Sequence, residues 1–257
     1  IMHRDGLGTA VEINPGQVNW MTAGKGIVHS ERTPERLRHS DKFLHGLQIW
    51  VALPKHLEEM DPEFFHADGN DIPTWQEDGV DFKLIAGEAF GKKSPIPVYS
   101  PLYFIEIKNK GEKTLSIGDQ LFGESGLYIL EGGVTSDGNT FGPKNFLVAK
   151  DSKLCEFTLD PNSTIYIFGG EPFPEERFIY WNFVASSRER IEEAKEKWLK
   201  QEFAPVPKIQ AIPELSPNKA LPAPTTSLST WQTVGENKEL KIRFKDSLVS
   251  SPTIPVP

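Results

Sequence analysis

Short apolar segments, separated by glycine, proline and other turn formers, recur along residues 11–170 of the chain. In GLQIWVALP, residues 46–54, strict alternation places Leu47, Ile49 and Val51 on one face of an extended strand. The segments PLYFIEIKNKG, GLYILEGGV and STIYIFGGEP are rich in β-branched and aromatic residues and are bounded by turn formers. Many short strands with closely spaced turns predict an all-β sandwich or barrel.

Two segments interrupt this pattern. Residues 55–80 show little periodicity, which predicts a long surface connection. The segment GEAFGKKSPIPVYSP carries three prolines. It predicts a linker, placed at residues 86–100, between two strand-rich blocks.

One amphipathic helix is predicted after the second block. Ser186 and Glu189 fit the N-cap and N3 positions of a capping box. Ile191, Ala194 and Trp198 follow at helical spacing among charged residues, so the helix should run to about Gln201 and lay its apolar stripe on the second barrel.

The last part of the chain has a different composition. Beyond Phe203 it is rich in proline and polar residues, which bury too little apolar surface to offset the entropy of ordering, so residues 204–257 are predicted to be disordered. Within them Leu240, Ile242 and Phe244 alternate with charged residues and predict one isolated strand.

Composition narrows the class of function. The formal net charge is -8, and a field of that sign repels phosphates, so no direct nucleic-acid binding is expected. A single cysteine, Cys155, excludes an intramolecular disulfide and favours a reducing, cytoplasmic location. No apolar run approaches the roughly 20 residues that a membrane span needs, so no membrane partner is expected.

The candidate chemistry lies in the first block, because all six histidines fall within the first 66 residues. His29 and Glu31 are two positions apart, and in an extended strand both side chains point to the same face. An imidazole and a carboxylate suit a first-row divalent metal such as Fe(II), Mn(II), Ni(II) or Zn(II). The alternative is that His29 caps a turn and Glu31 is merely exposed. Two ligands are also fewer than the three or four of a tight site.

The segment INPGQVNWMTAGKGIVHSE, followed by LHGLQIWVALP, closely resembles the pirin family of double cupins, and KLIAGEAFG and IFGGEPF resemble later landmarks of that family. The similarity runs from about residue 2 to about residue 203. It implies an all-β bicupin fold, in which two antiparallel β-barrels are followed by a C-terminal helix. The N-terminal cupin is placed at residues 1–85, without its opening strands, so that the first barrel is incomplete. The metal-free C-terminal cupin is placed at residues 101–203.

The resemblance also implies a set of iron ligands: a His-x-His pair, a later histidine, and a glutamate two residues after it. The later pair matches His29 and Glu31, whereas no His-x-His occurs in the chain. His3 is not carried over as a replacement, because it lies near the start and on the wrong side of the motif. The chain is therefore expected to be a fragment with two of four ligands, one that binds Fe(II) weakly or not at all.

Two functions follow from the resemblance. The first is an Fe(II)-dependent flavonol (quercetin) 2,3-dioxygenase, with His29 and Glu31 as metal ligands and Glu31 also serving as base for the substrate hydroxyl. This activity is expected of the intact protein, a monomer, and not of the fragment. The second is an iron-dependent transcriptional co-regulator, a protein-binding module without catalysis, whose acidic surface suits basic partners. The sequence leaves the native substrate and the native metal open.

Overall fold

Antiparallel β-structure dominates the computed structural model, which describes residues 1–41, 44–149, 156–207 and 243–247. The strands are β1 (Met2–Asp5), β2 (Ala10–Glu12), β3 (Val18–Thr22), β4 (His29–Arg32), β5 (Leu44–Gln48), β6 (Glu63–Ala67), β7 (Thr74–Glu77), β8 (Val80–Ala89), β9 (Lys92–Lys93), β10 (Leu102–Asn109), β11 (Lys113–Leu115), β12 (Glu124–Glu131), β13 (Val134–Ser136), β14 (Asn139–Phe141), β15 (Phe146–Ala149), β16 (Phe157–Leu159), β17 (Thr164–Gly170), β18 (Phe178–Tyr180), β19 (Phe183–Ala185) and β20 (Arg243–Ser247). Helix α1 spans Arg188–Leu199. The all-β prediction with a C-terminal helix is confirmed.

The second half of the chain is built around two facing sheets. A seven-stranded sheet has the order β15-β12-β17-β10-β8-β7, with β9 paired to β8, and a four-stranded sheet has the order β11-β16-β13-β14. Fully buried side chains from both sheets form one core, which includes Leu84, Ile105, Leu127, Leu159 and Ile167. This core covers one face of the larger sheet, as the alternation of its strands predicts.

The opposite face of the same sheet packs against the first half of the chain. Phe104 and Phe168 project to this side and form a second core with Ala67 and Ile72. Phe104 and Ile105 are neighbours in β10 and enter different cores, because successive side chains of a strand point to opposite faces. The large sheet is therefore buried on both sides and joins the two halves.

The first half consists of small antiparallel ladders. Its sheets have the order β2-β1-β4 and the pairs β3-β6 and β5-β20. The expectation that residues 55–80 form a surface connection is wrong, since β6 pairs with β3 and β7 pairs with β8. The segment predicted as a linker, residues 86–100, contains the end of β8 and the short strand β9.

The helix begins one residue later than the capping-box prediction. Its N-cap is Ser187, whose hydroxyl accepts a hydrogen bond from the backbone N–H of Arg190 at 3.4 Å. Ser186 instead donates to Glu58 Oε2 at 2.7 Å.

The predicted disordered tail lies mostly outside the described residues, as does Cys155. From the tail the structure describes β20, which runs antiparallel to β5 with Arg243 opposite Gln48 and Ser247 opposite Leu44. Among the described helices, none is long and apolar enough to span a membrane.

Candidate metal centre

A glycine turn leads the chain into the strand that carries His29 and Glu31. Gly24 and Gly26 have φ angles of 50° and 121°, in the region that favours glycine. A Cβ on Gly24 would overlap the carbonyl oxygen of Met60, and one on Gly26 would overlap the ring of Phe203. The backbone N–H of Lys25 donates to the same Met60 oxygen at 2.9 Å, which ties the turn to the segment that precedes β6.

The pairing of β1 with β4 brings four ionisable side chains to one face. His3 lies directly opposite Glu31, and Asp5 lies directly opposite His29. Opposite residues in an antiparallel pair share a face, as do residues two apart in one strand. Because β1 is the central strand of its sheet and β4 an edge strand, His3 and Asp5 are buried whereas His29 and Glu31 are exposed.

The buried His3 ring lies against Asp5, Phe64, Glu31 and His29. Its side chain is 2% exposed, and its Nε2 lies 3.2 Å from Asp5 Oδ2. Its ring stacks on Phe64 with a centroid separation of 4.5 Å and an interplanar angle of 18°. Its Nδ1 lies 4.0 Å from Glu31 Oε1, and its ring centroid lies 5.5 Å from that of His29.

The buried carboxylate of Asp5 has a full set of donors. Asp5 Oδ1 accepts hydrogen bonds from the backbone N–H groups of Leu7 at 2.9 Å and Thr9 at 3.0 Å, and Oδ2 faces His3. Burial by itself would raise the pKa of Asp5, but the hydrogen bonds from His3, Thr9 and Leu7 outweigh it and hold the pKa below its ordinary value. Asp5 is therefore ionised at neutral pH.

The pKa of His29 is lowered from its ordinary value. Desolvation by the surrounding protein is the main cause, and the neighbouring His3 adds to it, while the charges of Glu31 and Asp5 act in the opposite direction. His29 is consequently neutral at physiological pH, which is the form that binds metals.

His3, His29 and Glu31 form the one group of three or more potential metal ligands in the described part of the chain. One ligand atom from each lies within 4.8 Å of the others. Two imidazoles and a carboxylate fit Fe(II), Mn(II), Ni(II) or Zn(II), and the exposed side of His29 and Glu31 leaves room for further ligands. The structure thus brings the two predicted residues together and adds His3, which the sequence analysis had set aside.

The signal for His3 was present in the sequence. His3 and Asp5 repeat the two-residue spacing of His29 and Glu31, so both pairs lie on strand faces. What the sequence did not reveal was the register that places one pair opposite the other. His66 lies elsewhere in the first half, with its Nδ1 2.7 Å from Asn19 Oδ1.

Two family descriptions match the chain. "Pirin" matches residues 1–51, which include β1 and β4, and "Pirin C-terminal cupin domain" matches residues 103–204. Together they cover the candidate metal centre and the strands from β10 to β19, whereas β6 to β9 lie between the two matched ranges.

Several relatives are similar over most of the described residues. A pirin-like protein of Caulobacter vibrioides is 43% identical over 77% of this chain and 68% of its own length. A Pseudomonas aeruginosa protein, named provisionally as a quercetin 2,3-dioxygenase, is 38% identical over 77% of this chain and 61% of its own length. A crystal structure of quercetin 2,3-dioxygenase from Acinetobacter baumannii has a TM-score of 0.70 and 30% identity, covering 82% of this chain and 69% of that one. The chain thus spans about two thirds of the length of these relatives.

Proposed function

This chain belongs to the pirin family of cupin proteins, and on that premise we propose that it binds a divalent metal and that its intact form is an Fe(II)-dependent, quercetinase-like dioxygenase. The observation that carries the proposal is the convergence of His29, Glu31 and His3 on one face of a β-ladder, with the edge strand open to solvent. The similar Acinetobacter baumannii structure, which bears the name quercetin 2,3-dioxygenase, supports the substrate class, a flavonol.

The metal, when bound, would supply Lewis acidity and open positions at which a substrate oxygen and O2 meet. His29 and Glu31 are its proposed ligands. Fe(II) is the metal that the family resemblance implies, while the donor types suit other first-row divalent ions equally.

Glu31 has a second proposed role as a base. Its side chain is 42% exposed, so a carboxylate oxygen is accessible to a substrate in the open side of the site. A flavonol hydroxyl within hydrogen-bond reach of that oxygen would transfer its proton to Glu31, which makes the substrate a better electron donor towards O2. With its free ring lone pair bound to the metal, His29 would not compete for this proton.

The setting we propose is the cytoplasm, where the single cysteine stays reduced, and the intact protein is proposed to be a monomer. An alternative function is a metal-dependent co-regulator that binds protein partners without catalysis. The observation that favours it is a group of exposed apolar side chains on β18, β19 and α1: Tyr180, Trp181, Val184, Trp198 and Leu199.

Metal content and flavonol consumption test the proposal on the same sample. The 257-residue chain is loaded anaerobically with Fe(II), desalted and analysed for metal, and flavonol absorbance is then followed after O2 is admitted. We expect about one iron per chain, because His3 adds a donor to the two counted from the sequence, and we expect His29→Ala to abolish iron binding. Flavonol loss faster than with free Fe(II) is expected when the same assay is run on the intact protein. The control is His56→Gln, an exposed histidine outside the group.

The outcomes separate the two functions. Absence of bound metal from the wild-type chain overturns the proposal. Bound metal without flavonol loss by the intact protein overturns the catalytic part and supports the co-regulator.

A further inference from the structure

We infer that His3 is a third metal ligand, binding through Nδ1, and that the buried carboxylate of Asp5 is the positioning residue that presents this nitrogen. The inference rests on the proposed metal centre and names a donor that is absent from the ligand set implied by the family resemblance. It depends on the hydrogen bonds around Asp5, the direction of Nδ1, and the packing of the His3 ring.

The hydrogen bonds determine which nitrogen of His3 carries the proton. A carboxylate oxygen accepts hydrogen bonds; Asp5 Oδ1 accepts from two backbone N–H groups, and Oδ2 lies 3.2 Å from Nε2 of His3. Nε2 must therefore be protonated for the pair to bond. In a neutral imidazole the other nitrogen, Nδ1, then keeps its lone pair free to bind a metal.

Nδ1 of His3 lies near a carboxylate oxygen of the proposed site. It is 4.0 Å from Glu31 Oε1, which is beyond hydrogen-bonding distance. A cation between the two atoms would be attracted by the carboxylate and could bind both. Metal–nitrogen and metal–oxygen bonds of about 2.0–2.2 Å would let one ion reach both atoms across this separation.

The His3 ring is already ordered in the geometry that binding requires. Its side chain is 2% exposed and Asp5 is 0% exposed, and Phe64 stacks on the ring at 4.5 Å. A ligand fixed in this way loses little conformational entropy when the metal binds. A carboxylate that bonds the outer nitrogen of a metal-bound histidine is a common arrangement, and its loss typically lowers metal affinity by about 10–100-fold.

With His3, the chain holds two histidines and one carboxylate, the donor set typical of non-haem Fe(II) oxygenases with open positions. The expectation of a two-ligand, weakly binding site rested on the absence of His-x-His, and the strand register supplies a different third donor.

Isothermal titration of the 257-residue chain with Co(II) tests the inference, together with the visible absorption of bound Co(II) and the ¹⁵N shifts of the histidine rings. Asp5→Asn is the decisive variant. Its side-chain amide can donate to Nε2, which moves the proton of His3 to Nδ1 and blocks metal binding there. We expect about 10–100-fold weaker Co(II) binding and a change of His3 tautomer in the metal-free protein. His3→Gln should weaken binding at least as much, and His56→Gln is the matched control.

The melting temperatures of the metal-free variants show whether each is folded. If His3→Gln fails to fold, the tautomer and affinity of Asp5→Asn decide the outcome. The inference is overturned if His29→Ala abolishes binding while folded Asp5→Asn and His3→Gln bind Co(II) as the wild type does; the proposed metal centre then stands without His3. It is also overturned if the ¹⁵N shifts show His3 as an imidazolium that stays protonated with Co(II) bound. A wild-type chain that binds no Co(II) overturns the metal centre and the inference together.

Discussion

Ser186 Oγ donates a hydrogen bond of 2.7 Å to Glu58 Oε2, joining residues that are 128 positions apart in the sequence. Glu58 is 8% exposed and also lies 3.6 Å from the guanidinium of Arg177. Arg177 in turn donates to the carbonyl oxygen of Leu53 at 2.9 Å. This network fixes the segment after β5 to the segments that flank β18 and β19.

Replacing either of the two neighbouring serines should lower the stability of the protein, because each substitution removes a different hydrogen bond. Ser187→Ala removes the helix N-cap and should cost about 1 kcal/mol of unfolding free energy. Ser186→Ala removes a donor to a buried carboxylate and should cost about as much. Urea titrations in a Glu58→Gln background distinguish them, because the Ser186→Ala cost should shrink there and the Ser187→Ala cost should not. Equal costs in both backgrounds would contradict the assignment of Ser186 to Glu58.

Gly24→Ala should disturb the turn that leads into β4, the strand that carries His29 and Glu31. The new Cβ would overlap the Met60 carbonyl oxygen, and clashes of this kind cost about 1–3 kcal/mol in addition to the strain of a positive φ. Gly16→Ala is the control, because Gly16 also has a positive φ, of 84°, but its Cβ would meet nothing within 4 Å. Thermal melts should show a larger loss for Gly24→Ala. Equal losses would mean that the Met60 contact is unimportant.

Metal binding should raise the melting temperature of the chain. A metal present at 100 times its dissociation constant stabilises the folded state by about 2.7 kcal/mol, or roughly 5–10 °C for a protein of this size. Excess chelator should reverse the shift, and His29→Ala and Glu31→Gln should each abolish it. Calorimetric scans with Co(II) or Zn(II) measure the effect. A shift that survives both substitutions would place the ion elsewhere.

Tyr103, which is buried, and Tyr166, which is half-buried, should ionise late in an alkaline titration. Burial raises the pKa of Tyr103, and a hydrogen bond with Ser125 offsets part of the effect. Burial and the adjacent Glu106, to which the Tyr166 hydroxyl donates at 2.9 Å, raise the pKa of Tyr166. Because their folded pKa values lie above the unfolded value of about 10, the stability they contribute is present below pH 10 and is lost as the pH rises further.

The phenolate absorbance measures this effect directly. Tyr103→Phe and Tyr166→Phe should each remove one late-ionising tyrosine from the titration of the folded protein. Complete ionisation of all five tyrosines near pH 10 without unfolding would contradict the predicted direction.

Much of the local structure could be predicted because it depends on neighbouring residues. The β-branched and aromatic residues of segments such as LYFIEIKN, bounded by turn formers, predict strands, and the spacing of Ile191 and Trp198 predicts the helix that contains them. Residues 55–80 were mispredicted because β6, with the sequence EFFHA, shows no alternation of its own. Its strand is established by pairing with β3.

The sequence by itself determined that His29 and Glu31 share a face, because a strand has a period of two residues whatever lies around it. It also excluded an intramolecular disulfide, because it contains a single cysteine. The tertiary structure alone decided that His3 and Asp5 lie opposite that pair, since the register of β1 on β4 pairs residues that are distant in the chain, such as His3 with Glu31 and Asp5 with His29. It likewise decided between Ser186 and Ser187, two residues of identical local chemistry. Only the approach of Glu58 from a distant segment gives Ser186 a different hydrogen-bond partner and leaves the helix N-cap to Ser187.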